Sequence, residues 1–140
     1  MAFSIFRKPA LAATTLALAG AALTGLVTAG PAQASTSPQA CQVSGGLGGS
    51  YICEYGESWQ TYPNGQRQVF VVGTNREVWT RYNAPEGGWS NWQSMGGKAR
   101  SKVEISGNKT WNPTVAVTGM DGNYWYRQRM NNGGWTGWQK

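Results

Sequence analysis

The side chains best placed for chemistry are two sets of alternating residues, 46 positions apart: Glu77, Trp79 and Arg81, and Asn123, Trp125 and Arg127. Because residues two apart on a β-strand point to the same face, each set would form one surface. An indole packs against the C–H face of a sugar ring, and an arginine beside an acid or amide can hydrogen-bond its hydroxyls. The pattern therefore predicts contact with carbohydrate. Since Glu77 is replaced by Asn123, the two sets need not bind the same sugar.

A second pair of tryptophans, Trp89 and Trp135, follows Gly-Gly turns and would lie at a loop edge that a ligand can reach. A structural role remains an alternative for every residue that both sets share, because each repeat needs the same shape. This structural interpretation is favoured for Trp92 and Trp138, for Gly73 and Gly119, and also for Trp79 and Trp125.

The composition argues against catalysis. The chain has no histidine, the commonest general base and metal ligand, and its six carboxylates do not recur in register between the two sets. A glycosidase would need a pair of acids on facing strands. All eight tryptophans lie between Trp59 and Trp138. We therefore expect a binding protein that is not an enzyme and uses no cofactor or metal.

The first 34 residues have the features of a secretory signal peptide. Arg7 and Lys8 supply a basic start, residues 11–29 are apolar and uncharged, and a small-residue cleavage motif ends at Ala34. The apolar run is near the length of a membrane span, but its alanine and glycine content and the motif behind it favour cleavage. The sequence predicts a secreted mature protein that begins at Ser35 and has no membrane span.

The positive charge of the chain is modest. Without Arg7 and Lys8 the net charge falls from +6 to +4. This excess is spread along the chain, and much of it lies between the two sets, where a solvated segment is expected. It does not form the clustered basic face of a nucleic-acid-binding protein, so we expect no nucleic-acid partner.

Cys41 and Cys53 are the only cysteines. In a secreted protein an even number of cysteines predicts a disulfide. A redox or metal site is disfavoured, because the spacing is not C-x-x-C and no histidine accompanies the pair. We therefore expect a flexible leader and a disulfide-closed segment over residues 35–66.

The remaining chain, residues 67–140, is a repeat with a period of 46 residues. Residues 67–94 align with 113–140 without a gap, and ten of the 28 aligned positions are identical. The apolar, β-branched run at 68–72 predicts a strand that is buried on both faces. Polarity patterns and turn residues predict further strands at 51–55, 77–82, 89–94, 102–106, 114–118, 123–129 and 135–139. With no helical periodicity, the sequence predicts an all-β chain of about eight strands.

Two local expectations follow from the same patterns. Ser58-Trp59-Gln60 is interpreted as the last strand of a truncated earlier repeat, because Trp-Gln also ends both full repeats. Trp89 and Trp92 are three residues apart, so on a regular strand they would point to opposite faces.

The pattern G-G-W-[ST]-x-W-Q occurs twice, each time ten residues behind a tryptophan. It resembles the repeats of bacterial β-propeller lectins of the tectonin and Photorhabdus-lectin-like type, over residues 68–97 and 114–140. The resemblance implies one four-stranded blade per repeat, here 67–97 and 113–140, and sugars bound on or between blades. Two blades cannot close a ring, so it also implies two antiparallel, propeller-like blades completed by self-association, such as a homotrimer, or by another protein.

The predicted function is that of a secreted, lectin-like protein that recognises cell-surface glycans without catalysis. The alternative is an adaptor or subunit of a secreted, toxin-like multiprotein complex that docks through blade edges and chain ends.

Overall fold

Nine strands in three antiparallel sheets make up the chain as the computed structural model describes it, over residues 36–140 together with Gly30, Ala32 and Ala34. The all-β prediction is confirmed. The predicted signal peptide otherwise lies outside the described residues. Within the described ranges, no helix has the length and apolarity needed to cross a bilayer.

The first sheet is a hairpin of two short strands, β1 (Ala40–Gln42) and β2 (Ser50–Ile52). We call it the N-terminal hairpin. The predicted disulfide between Cys41 and Cys53 is confirmed, and it joins the outer ends of this hairpin. The strand predicted at 51–55 stops at Ile52, because a single 3₁₀ turn follows at Cys53–Tyr55.

The second or central sheet has four strands in the order of the chain: β3 (Ser58–Thr61), β4 (Arg67–Val72), β5 (Val78–Tyr82) and β6 (Gln93–Gly96). The interpretation of β3 as the end of an earlier repeat is wrong. Its Trp59 pairs with Val69 of β4, so β3 is the first strand of this sheet.

The third or C-terminal sheet contains β7 (Glu104–Ser106), β8 (Thr114–Thr118) and β9 (Tyr124–Gln128). β7 pairs with β8 as β3 pairs with β4, so each repeat begins one strand earlier than the sequence alignment indicated. A fourth strand is reduced to one bridge, between Tyr126 and Gln139. The sheets therefore have two, four and three strands in place of the predicted pair of four-stranded sheets.

The segments that contain the paired tryptophans are not regular strands. Trp89 forms one isolated bridge, with Asn83, and regular pairing resumes only at Gln93. Because the strand is interrupted, Trp89 and Trp92 both pack against the same core, and the prediction that they point to opposite faces is wrong. The repeat-equivalent Trp135 and Trp138 likewise share one core.

Each face of β4 buries a different core, because side chains alternate along a strand. The core beneath the N-terminal hairpin contains Val43, Leu47, Val69 and Val71. The core towards the C-terminal sheet contains Phe70, Val72, Val115 and Val117, among others. The last four residues of β4, from Val69 to Val72, are each at most 2% exposed. This agrees with the prediction that the strand is buried on both faces.

The outer face of the C-terminal sheet differs from the matching face of the central sheet. Ala116 and Thr118 occupy the positions of Phe70 and Val72, which removes apolar side chains that a further sheet would bury. On the same face Tyr124 is 54% exposed.

We predict that removal of the disulfide destabilises the chain. Replacing both cysteines, C41S/C53S, should lower the free energy of unfolding by about 3 kcal/mol, because a loop of this length is no longer closed in the unfolded chain. Urea denaturation measures the change, and reductant should cause no further loss in the double variant. An unchanged midpoint would contradict the prediction.

Candidate functional site

Two pockets occupy the same position in successive repeats. The first-repeat pocket is lined by Gly49, Ser50, Val71, Gly73, Thr74, Asn75, Trp79 and Trp92. The second-repeat pocket is lined by Gly97, Lys98, Val117, Gly119, Met120, Asp121, Trp125 and Trp138. Every residue in one lining has its counterpart in the other, six of them 46 positions later and two of them 48 positions later. The volumes are about 380 and 290 Å³ respectively.

Each pocket lies at a seam between two neighbouring units of the chain. In the first-repeat pocket, Gly49 and Ser50 come from the N-terminal hairpin, and the other lining residues come from the central sheet. In the second-repeat pocket, Gly97 and Lys98 follow the central sheet, and the others belong to the C-terminal sheet and its loops. Equivalent backbone bridges, Tyr51 to Gly73 and Ala99 to Gly119, join the units at these seams.

Glycines seat the two indoles of each pocket. A Cβ atom added to Gly73 would lie 2.8 Å from Cδ1 of Trp79. One added to Gly49 would lie 2.9 Å from Nε1 of Trp92. Because real Cβ atoms do not approach so closely, these positions accept the rings only if they lack a side chain. Glycines occupy the same places in the second-repeat pocket.

We call Trp79 and Trp125 the outer indoles of the two pockets. Each is held by a polar side chain in the turn before it. Trp79 donates its Nε1–H to Oδ1 of Asn75 over 3.2 Å, and Trp125 donates to Oδ1 of Asp121 over 3.1 Å. The same two oxygens accept the backbone N–H two residues on, which closes the turn between the strands.

Asp121 gives the second-repeat pocket an anionic group that the first lacks. Hydrogen bonds from the Asn123 side chain, then from Trp125 and the Asn123 backbone, lower the pKa of Asp121 to about 2. Lys98 replaces Ser50 at the opposite side of the pocket, and the ammonium of Lys140 lies 4.8 Å above the Trp125 ring. The two linings thus share a shape but differ in charge.

The predicted site arginines lie behind the pockets and bind backbone carbonyls. Arg127 donates from Nε to the carbonyl of Thr136 over 2.5 Å and from Nη1 to that of Met95 over 2.6 Å. Arg81 makes the equivalent bonds to Ser90 and Leu47. Each arginine therefore ties its own sheet to the preceding unit.

Among the other predicted site residues, only Trp79 and Trp125 line the paired pockets. Glu77 accepts a hydrogen bond from Ser94 and pairs with Lys98, with 3.4 Å between Oε1 and Nζ. Asn123 donates to Asp121. Trp89 and Trp135 line two separate clefts. Direct contact of these residues with a ligand stays a prediction.

Sequence reasoning missed the two lining residues of each pocket that come from the preceding unit, Gly49 with Ser50 and Gly97 with Lys98. The signal was present in Leu47-Gly48-Gly49 and Met95-Gly96-Gly97, which share a spacing of 48 residues. This spacing differs from the period of 46 residues that relates 67–94 to 113–140, so the two segments fall out of register with the main repeat. Trp92 and Trp138, interpreted as structural, form one wall of each pocket.

The chain matches no protein-family model, and no curated protein is significantly similar to it.

We predict that Gly73→Ala destabilises the chain by about 1–3 kcal/mol, the usual cost of overpacking. The new methyl group would overlap the pyrrole edge of Trp79. Gly137→Ala is the matched control, because a Cβ there meets nothing within 4 Å. Thermal or urea unfolding measures both variants. Equal effects of the two substitutions would contradict the proposed seating of the indole.

We also predict that only one of the two outer indoles responds to acid. The pKa of Asp121 is depressed, so its stabilising contribution is present above the ordinary carboxyl pKa and is lost as the pH falls through about 2. The indole N–H resonance of Trp125 should shift with a midpoint near pH 2, while that of Trp79, bonded to Asn75, should not. Asp121→Asn should abolish the shift. A midpoint near 4 would contradict this.

Proposed function

We propose that this chain is a secreted carbohydrate-binding protein, and that each paired pocket holds one sugar ring. The observation that carries the proposal is the equivalence of the two linings at all eight positions. Packing between neighbouring units would by itself require only the arginines, the valines and the glycines. It does not need an open, indole-walled cavity twice over.

The chemistry of the first-repeat pocket suits a neutral sugar. The Trp79 and Trp92 rings and Val71 offer an apolar wall for the C–H face of a pyranose. The Asn75 amide nitrogen makes no hydrogen bond within the described chain and is free to donate to a hydroxyl. Ser50 supplies a further hydroxyl at the rim. The volume lies at the small end of the range for ligand sites, which favours a monosaccharide unit.

The second-repeat pocket keeps the apolar wall and changes the polar partners. Its Asp121 carboxylate stays ionised above a pKa of about 2, so it accepts hydrogen bonds from sugar hydroxyls at neutral pH. A single carboxylate with so low a pKa is unsuited to proton donation. This supports binding without hydrolysis, which requires a second acid across the substrate.

Secretion and multivalency complete the proposal. The disulfide is typical of an oxidising compartment, which agrees with the predicted signal peptide. Two pockets on one chain raise the avidity for a surface that displays many sugars. Each pocket is built from a single chain, so sugar binding does not require the predicted ring. Propeller-like closure through self-association stays a prediction.

The proposal is tested with a panel of neutral monosaccharides, by following the indole N–H resonances on titration. We expect a ligand to shift the signals of Trp79, Trp92, Trp125 and Trp138. Trp79→Ala should weaken binding at the first-repeat pocket at least tenfold, and leave the second-repeat pocket intact. Trp125→Ala should do the reverse.

Trp111→Ala is the control for these variants, because Trp111 is 48% exposed and lies outside both pockets. The proposal fails if no sugar in the panel moves any of the four indoles. It also fails if Trp111→Ala weakens binding as much as Trp79→Ala does.

A further inference from the structure

A third cavity, the arginine cleft, lies at the opposite end of the strands from the paired pockets. Its volume is about 350 Å³. The residues that matter here are Tyr62, Tyr82, Asn83, Gln93, Arg129 and Trp135. Tyr62 follows β3, Tyr82 and Asn83 lie at the end of β5, Gln93 begins β6, and Arg129 and Trp135 lie in the segment after β9. The paired pockets lie instead at the turns between β4 and β5 and between β8 and β9. The cleft shares no residue with either paired pocket.

Arg129 is fixed in this cleft by a stack of planar groups. Its guanidinium carbon lies 4.6 Å from the centre of the Tyr62 ring, and that ring stacks on Trp111 at 6.2 Å with planes 19° apart. Nη1 donates to the carbonyl of Trp111 over 2.8 Å. A guanidinium has five N–H donors, and within the described chain the Trp111 carbonyl is the one acceptor at full hydrogen-bonding geometry, with the Tyr62 hydroxyl near enough for the guanidinium to act on its pKa. The side chain is therefore held in place with most of its donors free.

The charge of Arg129 has no counterion in the cleft. No carboxylate lines the cavity, and the one ion pair within the described residues joins Lys98 to Glu77 elsewhere. The repeat itself does not need a cation at this position, because Asn83 occupies it in the first repeat. An uncompensated, oriented guanidinium favours a planar anion that it can bind through two N–H groups, such as a carboxylate.

The rest of the cleft is suited to a hydroxylated ring. The Tyr82 hydroxyl and the side-chain amide nitrogens of Asn83 and Gln93 donate no hydrogen bond within the described chain. The half-buried indole of Trp135 forms an apolar wall and meets Phe70 edge to face. An aromatic wall with several free amide and hydroxyl groups is the combination that binds sugar hydroxyls and C–H faces together.

We propose that the arginine cleft binds an acidic sugar, with the carboxylate on Arg129 and the ring against Trp135. The amides of Asn83 and Gln93 hydrogen-bond the ring hydroxyls. This site does not depend on the paired pockets, and it would give the chain two kinds of subsite, one class for neutral units and one for an acidic unit of a glycan.

The test is a titration of the intact chain with glucuronate, glucose and acetate, followed by the indole N–H resonances. We expect glucuronate to shift the Trp135 signal, and glucose or acetate to shift it at least tenfold more weakly at equal concentration. Arg129→Gln should weaken the glucuronate effect at Trp135 at least tenfold. Arg100→Gln, which removes the same charge outside the cleft, should leave it unchanged.

A second measurement on the wild-type chain covers the case in which Arg129→Gln does not fold. Raising the ionic strength from about 0.01 to about 1 M shortens the screening length from about 30 to about 3 Å, and should weaken glucuronate binding. The proposal is overturned if Trp135 does not respond to glucuronate, if glucose or acetate moves it equally, or if salt has no effect. Failure of the neutral-sugar titration would show instead at Trp79 and Trp125, so the two proposals are tested separately.

Discussion

Each repeat in this chain has an apolar face that only a neighbouring unit can bury. The seam between units is closed in the same way twice, by valines on the inner face, an arginine that reaches a carbonyl of the preceding unit, and glycines beneath the indoles. When a sheet separates from its neighbour, the hydrogen bond of this arginine is broken and the apolar side chains on both sides of the seam are exposed to water. The packing of successive units is therefore the constraint on which the fold depends.

The paired pockets are a consequence of this seam. The glycines let two large rings approach the backbone, and the rings then stand apart along the margin of the interface with space between them. The hairpin contributes two lining residues to the pocket of the central sheet, and the segment that follows the central sheet contributes the equivalent two to the pocket of the C-terminal sheet. The pocket is therefore formed twice. The two linings differ at three pairs of positions: Ser50 and Lys98, Thr74 and Met120, and Asn75 and Asp121. These differences change the polarity of the pockets but leave the indole walls the same. The arginine cleft lies at the other end of the strands, where Arg129 of the second repeat replaces Asn83 of the first.

The local pattern of the sequence was enough to predict much of the fold. The β-branched run of β4 and the strand β8 were found with nearly correct bounds, and the disulfide followed from the count of cysteines. Alternation failed at Trp89 and Trp92, because the segment between them is not a regular strand, and the carbonyl of Ser90 accepts a hydrogen bond from the Arg81 side chain. The partner of β3 is the next strand, β4, and was missed because Trp-Gln was interpreted as the end of an earlier repeat. The role of the hairpin depends on contacts distant in sequence, such as Arg81 to Leu47, which a local pattern does not contain. For the site, the outer indoles Trp79 and Trp125 were among the predicted residues. The residues that the preceding unit contributes, Gly49 with Ser50 and Gly97 with Lys98, were not.

The central claim is that each pair of successive units forms one sugar site, and the number of sugars bound per chain tests it most directly. Native mass spectrometry can count them, with the neutral monosaccharide that binds most tightly, so that the arginine cleft is not counted. The account predicts two sugars on the intact chain, and one on C41S/C53S under conditions where hydrogen exchange shows the N-terminal hairpin released and the rest folded. A single sugar on the intact chain, or two retained after release of the hairpin, would contradict it.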